Sequence, residues 1–327
     1  MNFSARLLAW FRRHQRPLPW RKTKDPYRIW VSEIMLQQTR AAAVIPFYNR
    51  FLERFPDVTS LARSREQALL ESWSGLGYYS RARNLRRAAR QIVESGDGRF
   101  PRTAAAWAAL PGVGPYTAAA VASIAFAEPV AVLDGNVVRV MARVANEPGD
   151  VRSTRVRDQL RHRAEELLDT RHPGEFNQAL MELGATLCLP RRPQCLVCPV
   201  AQWCEARRLG RQEELPVKLG RATKVAVEIS VAVVEKDGKL LLRRRPETES
   251  RMPGFWELPE SGAPRLVRGE PLGRFRHAIT FHQYTVTVHP ARLRGARPAG
   301  YRWVSRGELA QLPLTTITRK ALKLAGP

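Results

Sequence analysis

The sequence predicts two domains of different class: an all-helical domain over residues 1–210 and, after a linker at 211–222, a mixed α/β domain over 223–327. Three observations predict it. Apolar residues recur at intervals of three and four as far as Leu187. Beyond Val225 the period becomes two. Between the two regimes, Leu215-Pro216-Val217-Lys218 and Gly220 have the composition of a tether.

Taken in order, Leu7, Leu8 and Phe11 mark a first amphipathic helix, and Leu85, Ala88, Ala89 and Ile92 another. Breaks between helices are expected at Pro17 to Pro19, Pro46, Pro56, Gly75 to Gly77, Pro101 and Pro111. In the second domain Val225 to Val234 reads as a strand, Asp237-Gly238 as a hairpin turn and Lys239 to Arg243 as the returning strand. Tyr284 to Val288 alternates in the same way, and helices are expected near Arg306 to Gln311 and Thr316 to Leu324.

The 327 residues carry 54 Lys plus Arg against 30 Asp plus Glu, a formal charge of +24. Both halves share it, with 22 basic and 11 acidic side chains in residues 211–327. Such a chain suits a polyanionic partner, nucleic acid ahead of an anionic membrane, and its binding should depend strongly on salt. The longest small-apolar run, Ala118 to Ala127, is too short to cross a bilayer. Arg6, Arg12 and Arg13 interrupt the first helix, so no signal-peptide core is expected. The expectation is a soluble monomer, cytoplasmic alongside chromosomal DNA, of bacterial type and without a membrane contact.

The most informative stretch is Leu110 to Val144. In Leu110-Pro111-Gly112-Val113-Gly114-Pro115-Tyr116-Thr117 two glycines can take backbone angles denied to other residues, which lets a turn between helices present bare N–H groups to an anion. After an alanine-rich helix, Asp134 stands where Val137, Val138 and Met141 begin a new helical period. It is either a structural N-cap or a carboxylate with a further role. A second carboxylate, Glu33, interrupts the apolar run from Ile29 to Leu36. Exposed on one helix face it would be ordinary; held among apolar side chains it would keep its proton toward neutral pH and could act as a general acid. All four cysteines, Cys188, Cys195, Cys198 and Cys204, fall within one short segment. That distribution favours a metal over disulfides, and leaves zinc or an iron–sulfur cubane open.

Taken together, the Leu110 to Asn136 stretch closely resembles the helix-hairpin-helix and following aspartate of the base-excision DNA glycosylases. The segment Trp30 to Thr39, Leu18-Pro19-Trp20-Arg21, Gly75-Leu76-Gly77-Tyr78-Tyr79 and Phe176-Asn177-Gln178-Ala179-Leu180 resemble its adenine-specific branch, known as MutY. The cysteine spacing resembles the 4Fe–4S loop of the endonuclease III and adenine glycosylase branches, so one structural 4Fe–4S cluster is implied. Arg191 and Arg192 within that loop would face phosphate, as would the amides of Gly112, Val113 and Gly114.

The resemblance implies an N-glycosyl hydrolase that removes adenine opposite 8-oxoguanine or guanine in duplex DNA. Glu33 would protonate the extruded adenine at N7, and ionised Asp134 would meet the positive charge at C1′. Asn136 and Tyr116 would orient Asp134 and the sugar. Strand-cutting relatives carry a lysine nucleophile where this chain has Tyr116, and a phenol forms no Schiff base, so a monofunctional glycosylase is expected. That separates it from an endonuclease III-like enzyme, and the joint motifs argue against a catalytically silent DNA-binding protein. Arg21, Trp30, Leu36, Gln38, Thr39 and Gln178 match residues around the extruded base, and Tyr78 matches a wedge beside the opposing lesion.

Residues 222 to 327 resemble the Nudix-like domain of the same enzymes. Gly254 to Pro259 lacks the Arg-Glu-x2-Glu-Glu continuation that would hold magnesium, so lesion binding is implied rather than hydrolysis. The family often carries a Phe-Ser-His loop that reads the lesion; Arg276 to Gln283 departs from it, and there Thr280 would supply a hydroxyl and Phe281 or His282 a ring, an edge-strand turn with no lesion contact being the alternative.

Overall fold

The computed structural model describes residues 2–96, 98–220, 224–246, 248–249, 252–279 and 281–326. The chain divides into two compact units, Met1–Arg65 with Gly75–Gly220, and Glu66–Ser74 with Arg221–Pro327. The first is helical. In order come α1 (Phe3–His14), a 3-10 turn (Pro19–Lys22), α2 (Pro26–Leu36), α3 (Ala41–Arg54) and α4 (Val58–Arg63); α5 (Glu66–Trp73) is grouped with the second unit. Then follow α6 (Ser80–Gly96), α7 (Ala104–Ala108), α8 (Pro115–Phe126), α9 (Gly135–Val144), α10 (Thr154–Glu166), α11 (Pro173–Thr186) and α12 (Glu205–Arg208).

Three of these helices place the site. Helix α2 begins where Asp25 accepts from the Tyr27 N–H at 2.8 Å and Pro26 supplies the first turn. Its residues Tyr27 and Ile29 to Met35 are all buried, so Glu33 is carried into the interior with its neighbours. Helix α8 is built from alanines, which lets α11 come close. A Cβ added at Gly174 would lie 2.6 Å from the Cα of Ile124 and from the Ser123 carbonyl. Helix α9 comes equally close at Gly184, where an added Cβ would meet the Asn136 Cβ at 2.7 Å. Helices α1, α8, α9, α10 and α11 share one core, with Phe3, Leu7, Phe11, Met141, Phe176 and Leu180 in it.

The second unit is mixed, strands first, as the change of period predicts. It contains β1 (Val225–Lys236), β2 (Lys239–Arg244), β3 (Trp256–Glu257), β4 (Leu266–Arg268), β5 (Gly273–Ile279), β6 (His282–Leu293), β7 (Tyr301–Ser305) and α13 (Thr316–Ala325). The sheet order is β3-β2-β1-β6-β4, with β5 also on β6 and β7 on β2. β1 and β2 join through Asp237-Gly238, both at positive φ (51° and 69°), the geometry of a tight hairpin. The long strands β1 and β6 pair in parallel from Val225 opposite His282 to Val234 opposite Ala291. Val231, Leu242, Val286, Val288 and Ala321 form the core between sheet and α13. The helix expected near Arg306 is only a 3-10 turn, Glu308–Gln311.

Candidate active site

Glu33 is 4 % exposed and accepts a hydrogen bond at Oε2 from the Tyr116 hydroxyl, 2.7 Å away. Burial pushes its carboxyl up to about 7; the Tyr116 bond opposes this, the nearby Asp134 charge adds to it, and Arg21 opposes it. A carboxyl poised there can hold a proton and give it up near neutrality, which is what a general acid requires. Tyr116 was expected beside Asp134 and the sugar, but its hydroxyl is spent on Glu33, with the Met181 sulfur at 3.1 Å.

Asp134 is the N-cap of α9, as its position suggests. Its Oδ1 accepts from the Val137 N–H at 2.7 Å and its Oδ2 from the Asn136 amide at 3.0 Å. Burial raises its pKa, while these bonds, the Asn136 backbone and the charge of Arg139 pull it back. Arg139 extends the chain of contacts, donating to the Asn136 side-chain oxygen at 2.9 Å and to the Gly184 and Cys188 carbonyls at 2.7 Å each. The capping residue also lines the cavity that Glu33 faces.

Both carboxylates line one cavity of about 920 Å³, together with the expected Arg21, Leu36, Gln38, Thr39, Tyr116, Asn136 and Gln178. Trp30 is not among them. Its indole is fully buried, 5.5 Å from the Trp107 ring, because residue 30 lies on the core side of α2. The tryptophan at the cavity is Trp20. Also unforeseen are Arg16, Arg157, Met181 and Glu182. A signal for the last two existed: Gln178, Met181, Glu182 and Ala185 stand at i, i+3, i+4 and i+7, one face of a helix.

Glu182 has no exposed surface. Its Oε1 accepts from the Arg16 N–H at 3.0 Å and Nε at 2.8 Å, and its Oε2 from Nη2 of both Arg16 and Arg21 at 2.7 Å. Burial works against its charge, yet the two guanidinium groups hold its carboxyl down at about 2.

Of the two hairpin glycines only Gly112 needs its type. It has φ 76°, and an added Cβ would lie 2.6 Å from the Asn84 Cβ. Gly114, expected to take a glycine-only angle, has φ −83°, ordinary for any residue. It is the N-cap of α8 with no side-chain cap bond, and Val113 is buried, so this turn offers backbone N–H groups rather than side chains. Tyr78 is 45 % exposed at φ 46° and Gln38 sits at φ 57°. One guanidinium serves both turns: Arg81 donates through Nη1 to the Ile34, Met35 and Gln37 carbonyls (2.9, 3.0 and 2.5 Å) and through Nη2 to those of Leu76 and Gly77 (3.3 Å each).

The cysteines correct the sequence. Among the described residues no group of three or more His, Cys, Asp or Glu side chains is arranged to hold a metal ion, so the expected 4Fe–4S cluster is not supported. Cys188, Cys195, Cys198 and Cys204 are free thiols. Burial pushes Cys198 up to about 12 and raises Cys195 and Cys204, with charge on the neighbouring cysteines acting the same way. What orders the segment instead is Arg143, fully buried and donating to the Leu215 carbonyl at 3.0 Å, Leu189 at 2.7 Å and the Cys188 sulfur at 3.2 Å. Arg191 and Arg192 are exposed on it.

In the second unit His282 opens β6 opposite Ile279, its ring 6.1 Å from that of Tyr284, and Phe281 is 58 % exposed at the hairpin tip. Thr280 lies outside the described residues.

Comparison with known proteins follows the same division. Residues 31–166 match the family model of the HhH-GPD superfamily base excision DNA repair protein, and 230–324 match the NUDIX domain. The adenine DNA glycosylase of Homo sapiens is 33% identical over 98% of this chain and 73% of its own length; that of Rattus norvegicus is 35% identical over 98% and 77%. Among solved structures, a thermostable thymine-DNA glycosylase aligns with 63% of this chain and 95% of its own at 31% identity and a TM-score of 0.58. An endonuclease III from a DNA complex covers the same 63% and 94% of itself at 20% identity and a TM-score of 0.53, a likeness of fold. Among the described residues no helix is long and apolar enough to cross a membrane.

Proposed function

The chain belongs to the adenine DNA glycosylase family, and from that membership we propose that it removes adenine mispaired with 8-oxoguanine or guanine from duplex DNA without cutting the strand. It is a hydrolase acting on N-glycosyl bonds, in base excision repair. One observation carries the proposed mechanism: Glu33 and Asp134 open on a single cavity, the first with one hydrogen-bond donor and the second with more than one. Glu33 has one donor and a pKa near 7; Asp134 has the Val137 N–H, Asn136 and, through Asn136, Arg139.

The adenine leaves the helix and enters the cavity, where Glu33 delivers its proton to N7 and converts the base into a neutral leaving group. The C1′–N9 bond breaks. Asp134 in its ionised form stabilises the positive sugar, and deprotonated Glu33 then takes a proton from the attacking water. Tyr116 keeps Glu33 in place by its hydroxyl, and Arg21, Leu36, Gln38, Thr39 and Gln178 wall the base. The amides at Gly112 to Gly114, with Arg191 and Arg192, grip phosphates; Tyr78 stacks beside the opposing base. The second domain, over about 223–327, reads that base through the ring of Phe281 or His282 and the hydroxyl of Thr280.

Excision assays on duplexes bearing A opposite 8-oxoguanine, A opposite G and an oxidised pyrimidine test the proposal. Release of adenine from the first two only, with no borohydride-trapped protein–DNA crosslink, is the expected result; release of the pyrimidine, or a trapped crosslink, would overturn it.

A further inference from the structure

We propose that Glu182 is a positioning residue: it anchors Arg21 in the cavity wall and offsets its positive charge, so that the acid Glu33 keeps its proton. The inference rests on the mechanism proposed above. Its starting point is a carboxylate that the acid–base steps do not use. Glu182 has no exposed surface, accepts four hydrogen bonds from two arginines and lines the same cavity as Glu33. Arg21 is itself only 9 % exposed, stands over the Phe11 ring at 5.2 Å and donates to the Arg16 carbonyl at 3.1 Å.

Pure scaffolding would explain a buried ion pair anywhere in the fold. Here its location matters, because Arg21 is close enough to act on the Glu33 carboxyl, and it favours the ionised form. The elements around Glu33 bring charges or dipoles: Tyr116 from α8, Asp134 from α9, Arg21 and Arg16 from the segment before α2, Glu182 from α11, and from α6 Arg81, which is spent on the Ile34 and Met35 carbonyls. Arg40 and Arg157 reach the cavity from α3's start and α10. Among these, Asp134 favours a protonated Glu33, and among the described residues Glu182 is the one further carboxylate on the wall. Deleting its charge leaves Arg16 and Arg21 uncompensated at low effective dielectric, where their field reaches further.

The test is the pH dependence of single-turnover adenine excision, paired with a carbon-13 NMR titration of the Glu33 carboxyl in free protein. Glu182→Gln should move the basic limb, and the NMR midpoint, roughly one unit toward acid. Excision at pH 8 would then drop roughly tenfold while that at pH 5.5 stays within about twofold. Glu182→Asp, which keeps the charge, should restore the wild-type limb. Arg16→Gln removes a side chain that is 42 % exposed, so it tests the idea even if Glu182→Gln fails to fold; it should move both midpoints the other way. Unmoved midpoints in Arg16→Gln, or in a folded Glu182→Gln with a merely slower rate, would overturn the proposal. Because the NMR arm needs no substrate, absence of adenine excision by the wild-type protein would refute the functional reading without touching this one.

Discussion

At the scale of single residues, the contrast between Glu33 and Asp134 governs what the site can do. Replacing Glu33 by Gln keeps the shape and the Tyr116 contact but removes the transferable proton, so excision should fall by about 10²–10⁴-fold while DNA affinity is nearly kept. Turnover retained in a quench assay would dispose of the assignment. The same residue has a thermodynamic signature. Its pKa is about 7 in the folded protein against 4.5 normally, so the fold binds a proton the unfolded chain releases. Stability contributed by Glu33 is therefore fully present below about pH 4.5 and lost as pH rises through 7, on the order of 3 kcal/mol in all. Glu33→Gln lacks this loss. Thermal melts of the two proteins should diverge in favour of the variant between pH 5 and pH 8. The presence of both carboxylates was legible in the sequence, through an acid amid apolar residues and a helix start. Their proton affinities were not, because those depend on burial and on Tyr116, 83 residues from Glu33.

Among the elements, the ends of α2 and α6 matter most. The turn after α2 and the turn before α6 each contain a residue at positive φ, Gln38 and Tyr78, and both turns hang on the Arg81 guanidinium. Arg81→Ala would leave five carbonyls without that donor, at a cost of roughly 3 kcal/mol or more in urea unfolding. It should also depress excision more than the conservative Arg81→Lys does, since both turns lose their common fastening. A second expectation concerns α11. Gly174→Ala places a methyl 2.6 Å from the α8 backbone, which cannot yield like a side chain, so destabilisation of about 1–3 kcal/mol and a lower Tm should follow. Several helix positions and the cap at Asp134 could be read from spacing, although the break expected at Pro46 falls inside α3; the closeness of α8 and α11 could not, since small residues permit an approach without naming the partner.

For the whole molecule, a charge of +24 spread over both halves predicts that DNA affinity falls steeply with salt, by about tenfold or more between 50 and 200 mM. A shallow slope in a fluorescence anisotropy titration would argue against extensive phosphate contact. Preference for 8-oxoguanine over guanine opposite the adenine should weaken in His282→Ala while excision opposite guanine persists, and equal discrimination by variant and wild type would remove His282 from that role.

The sequence by itself determined the class of each unit, the hairpin turn, the cap at Asp134 and the strands from Val225 onward. These follow from periods of 3.6 and 2 and from turn chemistry, which act within a few residues. Only the tertiary structure decided that Trp20 rather than Trp30 reaches the cavity, that Tyr116 serves Glu33, that Glu182 is gripped by Arg16 from 166 residues away, and that four closely spaced cysteines stand as half-buried free thiols. Each is a matter of which surfaces meet and how much water they exclude. Burial and partners separated by a hundred residues of chain leave no periodic trace, so the proton affinities that define this site were fixed only when the helices packed.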